Sequence, residues 1–396
     1  MYHERSVNLG RERSAIREIF EYGNTRAKEI GRENVFDFSL GNPNVPAPDC
    51  VREEIERLLR EMPAEILHGY TSAAGAPDVR EAVAEYIRKS FGVPMRSDLI
   101  YMTAGAAASL TVTLHAVLDQ GDEVIVIAPY FPEYKVFIEG AGGVVKAVNA
   151  DRDFHLDVAA IGRAIGKKTK AVILNSPNNP TGAVYGKGEI AALSALLRAK
   201  SAEYGAPILL ISDEPYRELS YGAEVPYVMN FYQDSVVCYS FSKSLSLAGE
   251  RIGYIAVNPA AAEAETLFAA VCGAGRDLGF VCAPSLFQRV AAKCLGKTSD
   301  ISVYAENRDI LYGALQEDGF GCVKPEGAFY LFVRSPEPSA AAFCERAKKY
   351  ELLLVPGDSF GAEGYVRISY CVAKDTIVRA LPAFEKLARS YGLCKG

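Results

Sequence analysis

An amine stands where an apolar run ends. The stretch "SVVCY" (Ser235 to Tyr239) leads into "SFSKSLSLAGERIGY" (Ser240 to Tyr254), which gathers hydroxyls, Lys243, Arg251 and two glycines in one short segment. Taken alone, Lys243 could be a solvated surface group, a phosphate clamp or an amine placed to attack a carbonyl. Three further stretches narrow the choice, because each also follows a short apolar run that reads as a strand. They are "NSPNNPTG" (Asn175 to Gly182) after "KAVIL", "SDEPY" (Ser212 to Tyr216) after "PILLI", and "TAGAAASL" (Thr103 to Leu110) after "DLIYM". A lysine, a carboxylate, an amide, a tyrosine and a small-residue helix start then share one edge of a sheet, the edge where ligands collect in open α/β folds.

That set has one chemical logic. A lysine amine condenses with an aldehyde when burial or a cationic neighbour lowers its pKa enough to make it nucleophilic. A carboxylate such as Asp213 can keep a pyridine nitrogen protonated, which turns the ring into an electron sink for a carbanion. The helix start "GAAAS", free of side-chain bulk, offers backbone N–H groups to a phosphate. Ser240, Ser242 and Arg251 add hydroxyls and a guanidinium fork. Together these requirements describe pyridoxal 5′-phosphate.

The elements that must hold these residues are legible in the pattern of apolar runs. "DLIYM", "EVIVIA", "VVKAV", "KAVILN", "PILLIS", "SVVCYS" and "GYIAV" alternate with amphipathic segments such as "IAALSALLRAKSAEYG". Seven such runs predict a mostly parallel seven-stranded sheet in a three-layer α/β/α large domain, because parallel neighbours need crossovers and bury both faces. Beyond about residue 285, helix gives way to "GAFYLFV", "LLLVP", "YVRISY" and a closing "KDTIVRALPAFEKLARSYG", which predicts a smaller α+β domain. Near the amino end, "SAIREIFEYGNTRAKEIG" puts Ile16, Ile19, Phe20, Ala27 and Ile30 on one helical stripe, with Gly31 as its stop. "VFDFSLGNPNVPAP" after it reads as extended or looped. The expected division is an arm over 1–45 packing with the small domain, a cofactor-binding domain over 46–285 and a small domain over 286–396.

Composition excludes other classes. The chain has 396 residues, 49% of them apolar, enough for a large core in more than one domain. A net charge of −6 gives no basic field for nucleic acid. No apolar run is long enough to cross a bilayer, and "MYHERSVNLGRERSAIREIFEYG" carries charges where a signal peptide needs an apolar stretch. A soluble, cytoplasmic protein is expected. The nine scattered cysteines form no C-x-x-C and suit reduced thiols. The four histidines, His3, His68, His115 and His155, are not at metal-ligand spacing, so no metal is expected. "GDSFG" (Gly357 to Gly361) matches a nucleophile elbow but no histidine follows it. "GAGRDLG" (Gly273 to Gly279) is one residue too long for a dinucleotide fingerprint and follows a helical stretch, while "GRAIGKK" lacks the length and hydroxyl of a P-loop.

"NNPTG", and "S-x-S-K" with the arginine of "GERIGY" eight residues after the lysine, resemble the class I/II aminotransferases. These are fold type I pyridoxal-phosphate enzymes of the aspartate aminotransferase kind, and the similarity runs from "SLGNPNVPAP" to "GYVRISY". The resemblance implies that Lys243 forms the imine with the cofactor and then shuttles the proton between the substrate's α-carbon and the cofactor's C4′. It implies that Asp213 pairs with the pyridinium nitrogen, that Asn179 and Tyr216 hydrogen-bond the ring's phenolic oxygen, and that Phe131, with Tyr130 beside it, stacks on the ring. Ser240, Ser242, Arg251 and the backbone of Ala106 and Ala107 would bind the phosphate. Many relatives carry a hydroxyl or amide at the two alanine positions, so the phosphate here is expected to lean on main chain and on the serines. Tyr70 in "HGYTSAAG" matches a tyrosine that reaches the neighbouring subunit's phosphate, which implies a homodimer with the site at the subunit interface. Arg367 in "YVRISY" matches the clamp for the substrate α-carboxylate, aided by the backbone of Gly41.

This cofactor permits transamination, decarboxylation, β-elimination and racemisation, and the protein selects by orienting one bond against the ring. The expected reaction is reversible, ping-pong transamination between an L-amino acid and a 2-oxo acid. The alternatives are a β-eliminating C–S lyase and a non-catalytic cofactor-binding regulatory domain, the latter disfavoured because no DNA-binding segment precedes Tyr22. By the same resemblance, Arg276 in "GAGRDLGF" is the candidate second cation for a distal carboxylate, since it lies just ahead of the "CAPS" stretch where some aspartate-specific relatives place theirs from the partner subunit. It makes aspartate or glutamate, with 2-oxoglutarate as acceptor, the expected substrates. Glycine and proline hinges near Gly41 and Pro356 imply closure of the small domain over substrate.

Overall fold

The computed structural model describes residues 2–11 and 15–393. Ser14, with which the amino-terminal helical stretch opens, and the ninth cysteine, Cys394, lie outside them. The chain divides into two compact units, one of Met1–Asn44, Asn179–Gly182 and Ser302–Gly396, the other of Val45–Asn178 and Ala183–Ile301.

All seven apolar runs form strands of one sheet in the larger unit. They are β1 (Ile100–Thr103), β2 (Glu123–Ala128), β3 (Val144–Asn149), β4 (Thr169–Asn175), β5 (Leu209–Glu214), β6 (Ser235–Ser240) and β7 (Gly253–Val257). Their order is β1-β7-β6-β5-β4-β2-β3. Strands β2 to β6 pair in parallel, and β7 runs antiparallel to both of its neighbours. Every residue of β5, β6 and β7 is buried, so both faces of the sheet centre are covered. The outermost strand β3 is largely open to solvent and carries Lys146, a charge that discourages pairing with another chain. Helix Ala106–Val117 lies against β1, β5, β6 and β7 with helix Ala264–Asp277 packed on it, which explains why it is apolar over more than one face.

Composition places the start of the small domain at residue 286, and here the structure corrects it. Helix Ser285–Lys293 packs on helices Asp49–Glu61 and Pro77–Phe91, and the smaller unit resumes at Ser302. The reason is Gln288, fully buried, whose Oε1 accepts from Ala76 N at 2.8 Å and whose Nε2 donates to Ala283 O at 2.7 Å. Those bonds stitch the helix into the larger unit.

In the smaller unit, helix Ala15–Ile30 sets Ile19 among Val35, Leu353, Val355 and Phe360, with Ile16, Ala27 and Ile30 flanking. Strand Phe36–Asp37 pairs in parallel with Leu352–Leu353. Strands Val355–Pro356, Tyr365–Ser369 and Tyr330–Arg334 make an antiparallel sheet in that order, and helices Ser302–Glu317 and Lys374–Arg389 pack together, the second also against strands Phe36–Asp37 and Leu352–Leu353.

Candidate active site

Strand register brings the motifs of the larger unit to one edge. Asn175 of β4 lies beside Asp213 of β5, and Asp213 beside Cys238 of β6. On the other side, Thr103, Gly253 and Ser240 stand level across β1, β7 and β6. Because β7 runs against its neighbours, its first residue meets their last. Arg251, just ahead of β7, therefore arrives where the helices after β1 and β6 begin.

Lys243 sits half-buried in the four-residue helix Phe241–Ser244. Ser240 caps that helix, its Oγ accepting from Ser242 N at 3.2 Å and lying 2.8 Å from Ser242 Oγ. Arg251 donates from Nη1 to Ala248 O at 2.9 Å and reaches Ser242 Oγ at 3.5 Å. Its φ is +51°, a left-handed conformation that costs a side-chain-bearing residue on the order of 1 kcal/mol and points to a positional demand. Gly105, at φ +86°, caps helix Ala106–Val117, and a Cβ there would stand 2.9 Å from Arg251 Nη2. The glycine thus lets the guanidinium approach the open N–H groups of a helix start. A cation beside those groups is an anion-binding arrangement in which Ala106 and Ala107 contribute main chain only.

Asp213 is 4% exposed. The Tyr134 hydroxyl donates to its Oδ2 at 2.5 Å, and its Oδ1 is buried with no hydrogen-bond partner among the described residues. Burial, opposed by the Tyr134 hydrogen bond, pushes this carboxyl up from 3.8 to about 7. A carboxylate with one oxygen held and the other open lacks a single N–H donor carrying positive charge, and a pyridinium nitrogen is such a donor. With the phosphate-type cradle on the same sheet edge, the residues fit pyridoxal 5′-phosphate. Tyr216, buried just beyond β5, and half-buried Phe131, edge-on to Tyr134 at 5.7 Å and 87°, belong to the same unit. Sequence reasoning missed Tyr134. Its one signal is its place in "APYFPEY", in the first turn of helix Glu133–Gly140, where an aromatic reads by default as core.

The smaller unit gathers a second set. Arg367, 2% exposed, donates from Nη1 to Asn179 Oδ1 at 3.1 Å and from Nη2 to Ser39 O at 2.6 Å. Its guanidinium carbon lies 4.6 Å from the Tyr330 ring centre and 4.9 Å from that of Phe360. A Cβ on Gly41 would collide with the Tyr330 hydroxyl, so only glycine lets the chain pass there. The structure brings together Arg367 and Asn179, and seats both Arg367 and Gly41 against Tyr330. A guanidinium held so rigidly is suited to a carboxylate.

A family model described as aminotransferase class I and II matches residues 33–384. The chain belongs to that family. The aminotransferase is 30% identical over 386 residues to a probable aspartate aminotransferase of Methanocaldococcus jannaschii, covering 94% of this chain and 96% of that one. It is 31% identical to the aspartate/prephenate aminotransferase of Thermus thermophilus, covering 92% and 94%. Among solved structures, an amino transferase from Eubacterium rectale is 51% identical with a TM-score of 0.97, covering 99% of each chain. Aspartate aminotransferase from Thermus thermophilus with maleate is 29% identical with a TM-score of 0.85, covering 98% of this chain and 100% of that one. The cofactor of this aminotransferase is pyridoxal 5′-phosphate.

Two further residues expected at the site lie on the surface of the larger unit. Tyr70 is 99% exposed. Arg276 is exposed on the last turn of helix Ala264–Asp277. No described helix is long and apolar enough to cross a membrane.

Proposed function

We propose that this aminotransferase moves the amino group of aspartate or glutamate to a 2-oxo acid in a ping-pong cycle, with Lys243 as the residue that binds the cofactor covalently and moves the proton. When bound, the cofactor supplies an electron sink for the charge left on the substrate's α-carbon. Lys243 then holds the migrating proton at Nζ. Asp213, oriented by Tyr134, keeps a proton on the ring nitrogen by means of the oxygen that is otherwise open. Asn179 and Tyr216 donate to the ring oxygen, Phe131 covers the ring, and Ser240, Ser242, Arg251 and the N–H groups of Ala106 and Ala107 hold the phosphate. Arg367, with the backbone of Gly41, takes the α-carboxylate. The open, buried Oδ1 of Asp213 is the observation that carries these assignments.

A homodimer is supported by an apolar face around Tyr70. Cys282 N donates to Ala73 O and Ser285 Oγ to Leu67 O, which lays the segment holding Phe280 and Val281 along the segment holding Tyr70. Ile66, Tyr70, Phe280 and Val281 are all exposed there, a cluster suited to a second copy of the chain. Phe280 N donates to Gly275 O at 2.8 Å, which keeps the exposed Arg276 close in the chain to this face. That position supports Arg276 as the cation a partner would offer to a distal carboxylate. The free thiols of the eight described cysteines support a cytoplasmic setting.

The substrate proposal is tested with the cofactor-loaded enzyme and a panel of amino acids. Aspartate or glutamate should convert the bound cofactor to its amine form stoichiometrically, and 2-oxoglutarate should reverse it. Release of ammonia and pyruvate from cystathionine without an amino acceptor would favour the lyase instead. Arg276→Ala should raise KM for aspartate roughly tenfold or more while leaving alanine nearly unchanged, as expected for one charge-assisted hydrogen bond; equal effects on both would remove Arg276 from substrate binding. Arg367→Lys should raise KM for every amino acid, on the order of 10²-fold, because an ammonium cannot replace a bidentate fork.

A further inference from the structure

We propose that Glu218 is a positioning residue for Lys243, acting through a chain of oxygens made by Tyr239 and Ser244. The proposal rests on Lys243 being the cofactor lysine. Tyr239, buried near the end of β6, places its hydroxyl 2.8 Å from Glu218 Oε1 and 3.0 Å from Ser244 Oγ. Ser244 is 1% exposed and directly follows Lys243. The phenol ring between them is fixed, stacked on Tyr254 at 4.9 Å and 19° and edge-on to Phe241 at 5.0 Å and 77°. From the other side Ser299 N donates to Ser244 O at 2.7 Å, so the residue after the lysine is gripped at both its backbone and its hydroxyl.

The chain has a direction. A phenol has one proton, and the Tyr239 hydroxyl has two acceptors in reach, Glu218 Oε1 and Ser244 Oγ; while Glu218 is ionised the carboxylate takes that hydrogen bond. If Glu218 takes up a proton, it donates to the phenol, and the phenol donates to Ser244. The charge of Glu218 is thereby expressed as the hydrogen-bond direction at the residue adjoining Lys243.

Among the described residues that charge has a hydrogen bond from Tyr239 but no ion pair. Glu218 Oε2 is buried with no hydrogen-bond partner among the described residues. Arg217, the adjacent cation, is committed elsewhere. It pairs with Glu214, donates to Val225 O and Pro226 O at 3.0 Å each, and lies over the rings of Phe91 and Tyr227 at 5.2 and 5.0 Å. The other groups that feel Glu218 are Glu214 on the same segment, Tyr239 on β6 and Tyr86 on helix Pro77–Phe91. Burial raises the Glu218 carboxyl above its ordinary value, with the Tyr239 hydrogen bond, the Arg217 charge and its own backbone N–H opposing. A half-satisfied buried carboxylate costs stability, and a brace for the fold alone has no use for it.

The test uses the full chain loaded with pyridoxal 5′-phosphate and three variants, Glu218→Gln, Tyr239→Phe and Ser244→Ala. The readout is a pH titration of the bound cofactor's visible absorbance without substrate, beside thermal unfolding and the kcat and KM of the half-reaction. All three variants should lower the apparent pKa of the absorbance by about half a unit or more, and reduce kcat roughly threefold or more with KM little changed. Glu218→Asp should restore part of the shift. Titration at the wild-type pH in variants whose thermal midpoint still falls would overturn the proposal in favour of a plain structural brace. A shift confined to Glu218→Gln would overturn the chain in favour of a field through space. Ser244→Ala removes one oxygen, so it keeps the test decisive should a larger change prevent folding. Visible absorbance that survives exhaustive dialysis in Lys243→Ala would instead contradict the lysine assignment, a failure distinct from the others.

Discussion

Lys243→Ala is expected to abolish the visible absorbance of covalently held cofactor and to lower kcat by on the order of 10⁴-fold or more, the scale on which removing a positioned proton-transfer and nucleophilic group is felt. The fold should tolerate the change. The side chain is half-buried, the helix that carries it is capped by Ser240 rather than by the lysine, and Ser244 is held by Ser299 and Tyr239. The phosphate cradle of Ser240, Ser242, Arg251 and the Ala106 helix start does not involve the lysine amine, so the variant should still bind the cofactor, reversibly. Dialysis followed by absorbance reads the lost covalent hold directly. Stopped-flow mixing with aspartate reads the lost proton transfer.

Asp213→Asn should reduce kcat by about 10²–10³-fold, comparable to losing one preorganised electrostatic partner of the reacting group. Asparagine fits the space and can still accept from the Tyr134 hydroxyl, but it cannot hold a proton on the ring nitrogen. Without that charge the ring loses much of its capacity as an electron sink. The same substitution has a signature in the cofactor-free protein. Because burial raises the Asp213 carboxyl from 3.8 to about 7, the folded chain binds more protons than the unfolded chain between those values. Its contribution to stability is therefore complete below the lower value and is lost as pH rises through the upper one. Between about pH 4 and about pH 8 the cofactor-free wild type should lose stability relative to Asp213→Asn. Unfolding curves at the two ends check this, and parallel pH dependence in both proteins would show that Asp213 ionises normally.

The sheet was legible because its strands are short apolar runs bounded by turn chemistry, and buried strands of a parallel sheet have few other ways to read. The positions of Lys243, Asp213, Arg251 and the Ala106 helix start along the sheet edge were legible for a related reason, since a residue placed just after such a run must lie at the strand's carboxyl end. Arg251 shows the limit of that logic. It precedes its strand, and only the antiparallel course of β7 delivers it to the same edge. Tyr134 and Ser244 were not legible, because an aromatic on a helix turn and a serine beside a lysine have no spacing that announces their partners. Tyr239 is hidden more deeply, inside "SVVCY", where the pattern records an apolar strand residue and is silent on its hydroxyl. The domain boundary moved for a similar reason. The composition of "SLFQRVAAK" indicates a helix but not which unit Gln288 will bond.

The covalent role of Lys243 is tested most directly by reducing the cofactor-loaded enzyme with borohydride, digesting it and locating the pyridoxyl label by mass spectrometry. The account predicts one labelled peptide with the modification on Lys243. A label on another lysine, or none on a protein that absorbs visibly before reduction, would contradict it.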